Sequence, residues 1–210
     1  MGARRANAGK NCASPVAEPG LLPLLAALQA VTDWLRHCQI SGVIVGGVAA
    51  SVLGRPRLTR DVDALISADA SQWPMLLQEA ARFDLAPRIE DPLSFAAKAR
   101  VLLLRHGASA IDVDIILGAL PIEAAIVDHA VATKIGSLTL PLPRPADLIL
   151  MKAIAGRSRD MEDIEGIIRA NPATDLSEAR NTLLEFATAL DNSDLVAEFD
   201  KLVRRVRDRK

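Results

Sequence analysis

A small mixed sheet flanked by helices, followed by an all-helical C-terminal part, is the α+β architecture that three features of this 210-residue chain predict. Two short apolar segments carry carboxylates at alternate positions: Asp61-Val-Asp63-Ala-Leu-Ile66, entered from Thr59-Arg60, and Ala110-Ile-Asp112-Val-Asp114-Ile-Ile-Leu117. A glycine pair, Gly46-Gly47, ends an apolar run that begins at Ile40. From Pro145 onward the periodicity is helical, interrupted at Gly156 and at Asn171-Pro172. Nothing alternates strand and helix in the regular way of a doubly wound parallel sheet.

In chain order, Leu21 to Arg36 places Leu22, Leu25, Leu28, Val31 and Leu35 at helical intervals and predicts an amphipathic helix. Ile40 to Val45 reads as a strand, Gly46-Gly47 as a turn, and Val48 to Leu53 as a short helix of small residues. Arg55-Pro-Arg-Leu-Thr59 is then a loop that delivers the chain into the Asp61 strand. Ser71 to Phe83 predicts a helix with Ser71 as N-cap and Pro74 in its first turn. Arg100 to Arg105 and Ala110 to Leu117 flank His106-Gly-Ala-Ser109 as a hairpin. Gly118 to Glu123 opens a further short helix, and Leu138 to Leu142 is expected as an edge strand. The division expected is a disordered leader over residues 1–18, a catalytic domain over 19–143, and a helical region over 144–210 packed on it.

Composition removes several function classes. Half of the residues are hydrophobic but only 3% are aromatic, so stacking platforms for single-stranded nucleic acid are scarce. A formal net charge of -1 does not suit wholesale wrapping by a polyanion, although the basic ending Arg204, Arg205 and Arg207 offers a local face. Cys12 and Cys38 have no metal-ligand spacing, and His37, His106 and His129 are scattered, so a reduced, cytoplasmic protein without a thiol or imidazole metal site is expected. No stretch spans a bilayer without proline or charge, and no signal segment is recognisable, so no membrane partner is expected.

The chemistry is carried by the acidic strands. Side chains alternate along a strand, so Asp61 and Asp63 share a face, as do Asp112 and Asp114. Carboxylates set in an apolar strand need a compensating charge, and a hard divalent cation supplies it while leaving sites open for phosphates. One carboxylate of the second strand, Asp112 or Asp114, can complete a set with Asp61 and Asp63. Gly46-Gly47 at a strand end before a helix lets backbone N–H groups approach a phosphate. Thirteen residues separate Gly47 from Asp61, and that order is more specific than either motif.

Gly46-Gly47, Thr59-Arg-Asp61-Val-Asp63, Val113-Asp114-Ile-Ile-Leu-Gly-Ala-Leu-Pro-Ile-Glu123 and Ala146-Asp-Leu-Ile-Leu-Met-Lys152-Ala-Ile-Ala-Gly-Arg157-Ser-Arg-Asp160-Met-Glu-Asp163 together resemble the nucleotidyltransferase fold of the DNA polymerase beta superfamily. Within it they are similar to stand-alone prokaryotic nucleotidyltransferases, including the toxins of type IV toxin-antitoxin systems. The resemblance runs from about Val43 to Ile168. It implies an enzyme that moves an NMP from an NTP such as ATP to an acceptor hydroxyl on tRNA, other RNA or protein. Two Mg2+ ions, or Mn2+ in their place, would be held by Asp61, Asp63 and Asp114, with Asp112 as the alternate. Lys152 is the implied catalytic cation, and Gly46, Gly47, Thr59, Arg157, Asp160 and Asp163 the implied nucleotide-binding residues. Asp160 and Asp163 equally suit a helix cap, with Asp160 as N-cap. The glycine turn departs from the usual Gly-Ser, which removes a hydroxyl that Ser51 or Thr59 would have to replace. The same resemblance implies an antitoxin as partner, and leaves two alternatives: a non-catalytic nucleotide-sensing or partner-binding member, and a small-molecule, antibiotic-type transferase.

Overall fold

The computed structural model describes residues 21–208; the leader expected over residues 1–18, with Cys12, lies outside them. Leu24, Ala27, Leu28, Val31, Trp34 and Leu35 form the buried stripe of α1 (Leu21–His37), and the Trp34 indole N–H donates to Leu76 O (3.1 Å). The chain then makes β1 (Gly42–Ile44), α2 (Gly46–Leu53) and β2 (Asp61–Ile66). The segment expected as one helix from Ser71 is a 3-10 turn over Ala70–Gln72, α3 (Trp73–Ala80) and a second 3-10 turn over Ala81–Phe83. Ser71 is not its cap: it lies inside the first turn, where Gln72 Oε1 accepts from the Asp69 N–H (2.8 Å).

Three elements escape the sequence patterns. They are β3 (Leu85–Pro87), α4 (Pro92–Ala99), capped by Asp91 accepting from Ser94 N–H (3.1 Å), and β6 (Val131–Ile135). Between them come β4 (Val101–His106), β5 (Ile111–Leu117) and α5 (Pro121–Asp128), as expected. The segment expected as an edge strand, β7 (Leu138–Leu142), pairs only with β6, across the two-residue Gly136-Ser137 turn with Gly136 at φ +61°.

The main sheet has the order β1-β2-β5-β4-β3, and it is mixed because only β2 and β5 run parallel. Its two faces differ in a way that makes a site. Val62, Ala64, Ile66, Val113, Ile115 and Leu117 point to one face and join the main core with α1. On the other face Val43, Leu65 and Ile116 pack with Ile126 and Val127 of α5, but that cover stops before Asp61, Asp63, Asp112 and Asp114. The carboxylates therefore occupy the uncovered half of an otherwise buried face.

Four helices follow: α6 (Pro145–Ala155), α7 (Ser158–Ala170), α8 (Ser177–Ala189) and α9 (Asp194–Asp208). The expected breaks at Gly156 and Asn171 are present; a third falls before α9, where Asp191 adopts φ +51°, a conformation Asp tolerates. Leu140 and Leu142 share one apolar core with Leu148, Ile149, Ile164 and Ile167, so the core is continuous across residue 143. Backbones meet closely where α2 crosses α7: a Cβ on Gly54 would lie 2.9 Å from Ile167 N, and one on Gly166 would lie 3.2 Å from Arg55 N. Among the described residues no helix is long and apolar enough to cross a membrane.

Candidate active site

Register brings the acids together. Asp61 stands opposite Asp112 and Asp63 opposite Asp114 on the parallel strands β2 and β5. Lateral partners share a face, so all four carboxylates crowd one patch, with neighbouring strands ~4.8 Å apart. Burial, then repulsion from Asp61 and Asp114, pushes Asp63 up to about 6. A donated Gly47 N–H and the nearby Lys152 charge act in the opposite direction. Asp114 is likewise raised, by burial first, against the pull of Arg88.

The two candidates for the third carboxylate separate on their partners. Asp112 is held below the usual carboxylate range by the Arg105 Nε–H donated to it at 2.7 Å, with Arg88 adding a weaker attraction. Asp114 is the one whose charge is felt at Asp63. Arg88 Nη2 hydrogen-bonds to Asp114 Oδ1, while its Nη1 lies 3.4 Å from Asp112 Oδ2. Among the described residues, no three carboxylate, imidazole or thiolate side chains are grouped closely enough to ligate one ion as they stand.

The glycine pair expected as a turn forms the first two residues of α2, and it is built for close approach. Gly46 has φ +61°, and a Cβ there would fall 1.8 Å from Asp63 Oδ2. A Cβ on Gly47 would fall 2.5 Å from Thr59 Oγ1. The first anion at the N-terminus of α2 is thus the protein's own Asp63, which accepts from Gly47 N–H. Thr59 donates to Asp61 Oδ1 (2.7 Å) and orients it. The Ser51 hydroxyl is engaged with backbone carbonyls, within reach of Gly47 O (2.9 Å) and Arg57 O (3.1 Å).

Beside the acids lies a buried ion cluster. The Lys152 ammonium, 5% exposed, sits 3.0 Å from Asp160 Oδ1 and 2.7 Å from Asp163 Oδ2. It is thus buried and paired with two carboxylates. Arg57 donates Nε–H and Nη2–H to the two Asp163 oxygens (2.8 and 2.9 Å), and Arg157 donates to Asp160 Oδ2 (2.7 Å). Burial opposes the charge on Asp160 and Asp163, but hydrogen bonds from Arg157, Arg57 and Lys152 outweigh it and hold both below the usual range. Asp160 is the third residue of α7, whose N-cap is Arg157, so the expected N-cap role of Asp160 is corrected: its carboxylate binds cations instead. Three cations and two carboxylates leave one positive charge over. Arg157, with a side chain 76% exposed, is the member free to meet a ligand.

Arg57, Arg88 and Arg105 are the residues that sequence reasoning missed. Arg57 lay in a segment read only as a loop, and nothing in linear spacing puts Arg88 beside Asp114.

Oxygen donors alone, mutually repelling and crowded on one patch, have the chemistry that suits a hard divalent cation.

Comparison with known proteins bears on this arrangement. No curated protein matches the chain. Among solved structures, the antibiotic-resistance factor ANT(2'')-Ia, known from a solution structure, is similar with a TM-score of 0.59 and 12% identity. The similarity covers 80% of this chain and 95% of that one, and at such identity it is a likeness of fold. An antigenic nucleotidyltransferase-like protein from Paracoccidioides brasiliensis shares 18% identity over 84% of this chain and 92% of its own, with a TM-score of 0.49. The family described as "Nucleotidyl transferase of unknown function (DUF2204)" matches residues 24–202. The chain has the nucleotidyltransferase fold and is a nucleotidyltransferase. Because the match runs from the first turn of α1 into α9, the whole folded unit belongs to this nucleotidyl transferase family.

Proposed function

We propose that the enzyme uses Mg2+ to transfer an NMP from an NTP such as ATP to a hydroxyl of a macromolecular acceptor, RNA (tRNA included) or protein. The observation that carries this reading is Asp63, pushed up to about 6 between Asp61 and Asp114 at the uncovered end of the sheet, beside a surplus positive charge. Asp61, Asp63 and Asp114 would hold two Mg2+ ions, or Mn2+, which when bound supply charge neutralisation and electrophilic activation at the transferred phosphate.

The chain's own residues do the rest. Thr59 fixes the Asp61 carboxylate, and the bare backbone at Gly46 lets Asp63 lie against the start of α2. Arg157 meets the triphosphate, anchored through Asp160 to the buried Lys152. Lys152 and Arg57 act at one remove, by fixing Asp160 and Asp163 and by their field. The acceptor oxygen bonds to the α-phosphorus, the bond between that phosphorus and the α–β bridging oxygen breaks, and pyrophosphate departs. Asp114, at the edge of the acid patch, takes the acceptor proton.

An exposed rim supports a large acceptor: Leu58, next to Thr59, is 74% exposed, as Arg157 is at 76%. Asp61 itself is exposed. A toxin role, a cognate antitoxin and a cytoplasmic setting belong to the same proposal, supported by the motif resemblance around Lys152 and Asp160.

Incubation with each α-32P NTP, Mg2+, total RNA and total protein tests the acceptor class. Label in RNA or protein, absent with Asp61→Ala/Asp63→Ala, is the expected result. Label confined to small molecules would overturn the macromolecular acceptor and assign the enzyme a small-molecule substrate.

A further inference from the structure

Arg88 stands immediately after β3, and its N–H donates to Leu103 O on β4 (2.9 Å). It therefore extends the register by one residue, giving a lateral row of Arg88, Leu103, Asp114 and Asp63 across four strands. Members of such a row share a face. Two strand spacings, ~10 Å, separate the backbones of Arg88 and Asp114. Only a long side chain laid across the intervening Leu103 position closes that gap, and arginine does so. Its two terminal nitrogens divide between Asp114 Oδ1 and Asp112 Oδ2. Arg105 already serves the other Asp112 oxygen at 2.7 Å, so Asp112 has a cation of its own, whereas among the described residues Asp114 pairs only with Arg88.

We propose that Arg88 is a positioning residue that competes with the divalent cation for Asp114. The guanidinium keeps the third carboxylate engaged away from Asp61 and Asp63, and loading of the site requires that arm to swing off. This rests on the proposed function in taking Asp114 as a cation ligand. Two further observations fit it. The three acids share a patch by register yet are not grouped to ligate an ion. The Arg88 and Asp114 side chains are 24% and 35% exposed, so their pairing is neither fully screened by water nor locked in the core. A latch of that strength lowers the apparent cation affinity by the fraction of molecules in which Asp114 is engaged, and is still opened by the incoming ion.

The test is Mn2+ binding to the full chain, followed by the loss of the free-ion electron paramagnetic resonance signal, with melting temperatures measured in parallel. Arg88→Ala is expected to bind Mn2+ about three- to tenfold more tightly than wild type at low salt, and to need correspondingly less Mg2+ for half-maximal turnover. Arg88→Lys, which keeps the charge but cannot fork onto two carboxylates, is expected between the two. Arg105→Ala removes the same charge from Asp112 and is expected to stay within about twofold of wild type. Affinity in Arg88→Ala that is unchanged or weaker would overturn the latch, as would equal tightening in Arg105→Ala. Asp63→Asn separates the two ideas. Lost Mn2+ binding there, with Arg88→Ala unchanged, removes the latch and leaves the cation site; retained binding there removes both.

Discussion

Asp63 carries an electrostatic load that has a measurable sign. In the cation-free protein its carboxyl titrates at about 6, against an ordinary value of 3.8. Between these values the folded protein binds a proton that the unfolded chain has released, so the contribution of Asp63 to stability rises as pH falls through 6 and is least favourable above it. The ionised Asp63 thus destabilises the fold at neutral pH. Asp63→Asn is expected to raise stability at pH 7 by on the order of 2 kcal/mol, with the gain vanishing near pH 4, while transfer falls about a hundredfold or more. Melting curves of the two proteins across pH 4 to 8 check this; a variant no more stable than wild type at pH 7 contradicts it. In wild type, cation binding and turnover are expected to fall as pH drops below about 6, as protons occupy the same carboxylate.

At the scale of elements, α2 is set against β2 by a contact that only glycine permits. Gly46→Ala must move Asp63 out of the way, since the new Cβ would lie 1.8 Å from its Oδ2, and must also hold φ +61°. Gly156, at the C-cap of α6, has a similar φ of +64° but no atom nearer than 3.9 Å to a Cβ. Gly156→Ala is expected to cost about 1 kcal/mol and keep turnover. Gly46→Ala is expected to cost more, about 2 to 3 kcal/mol, and to lose turnover beyond what unfolding explains. Denaturation and steady-state rates on the pair test this, and equal turnover in both would show that the approach at Gly46 is dispensable. The helix α1 and the strands β2 and β5 were legible because each buries a periodic stripe. The strand β6 buries none of its five residues and α4 buries only Ala96, so neither leaves a pattern to read. Asp91-Pro92 was the one local signal for α4, as a cap followed by proline at the first helical position.

Across the whole molecule, Asp163 of α7 ties the C-terminal helices to the loop that enters the acid strand through Arg57 (2.8 Å), and ties α7 to α6 through Lys152 (2.7 Å). Asp163→Ala would leave two partly or fully buried cations with one remaining carboxylate between them. A loss of about 3 kcal/mol is expected, or roughly 6 to 12 °C in Tm, with a larger fall in turnover than Asp200→Ala on the exposed Arg180 pair. Calorimetry and rates on the two variants check it. This organisation explains what the sequence withheld. The acid spacing singled out Asp61 and Asp63 with either Asp112 or Asp114, and the resemblance pointed to Asp114, but the order β2-β5-β4-β3 is what brings residue 88 to residue 114, and α7 packing is what brings residue 163 to residue 57. Those neighbours depend on how elements assemble, and no periodicity within one element encodes them. Chemistry at the proposed patch of Asp61, Asp63 and Asp114 underlies every role given to the residues around it. Its most direct test is pyrophosphate release from NTP, with Mg2+ and total RNA and protein as acceptors, by wild type and by folded Asp61→Asn/Asp63→Asn. Release by wild type and none above background by the variant is the predicted result; equal release by both would place the reaction elsewhere on the molecule.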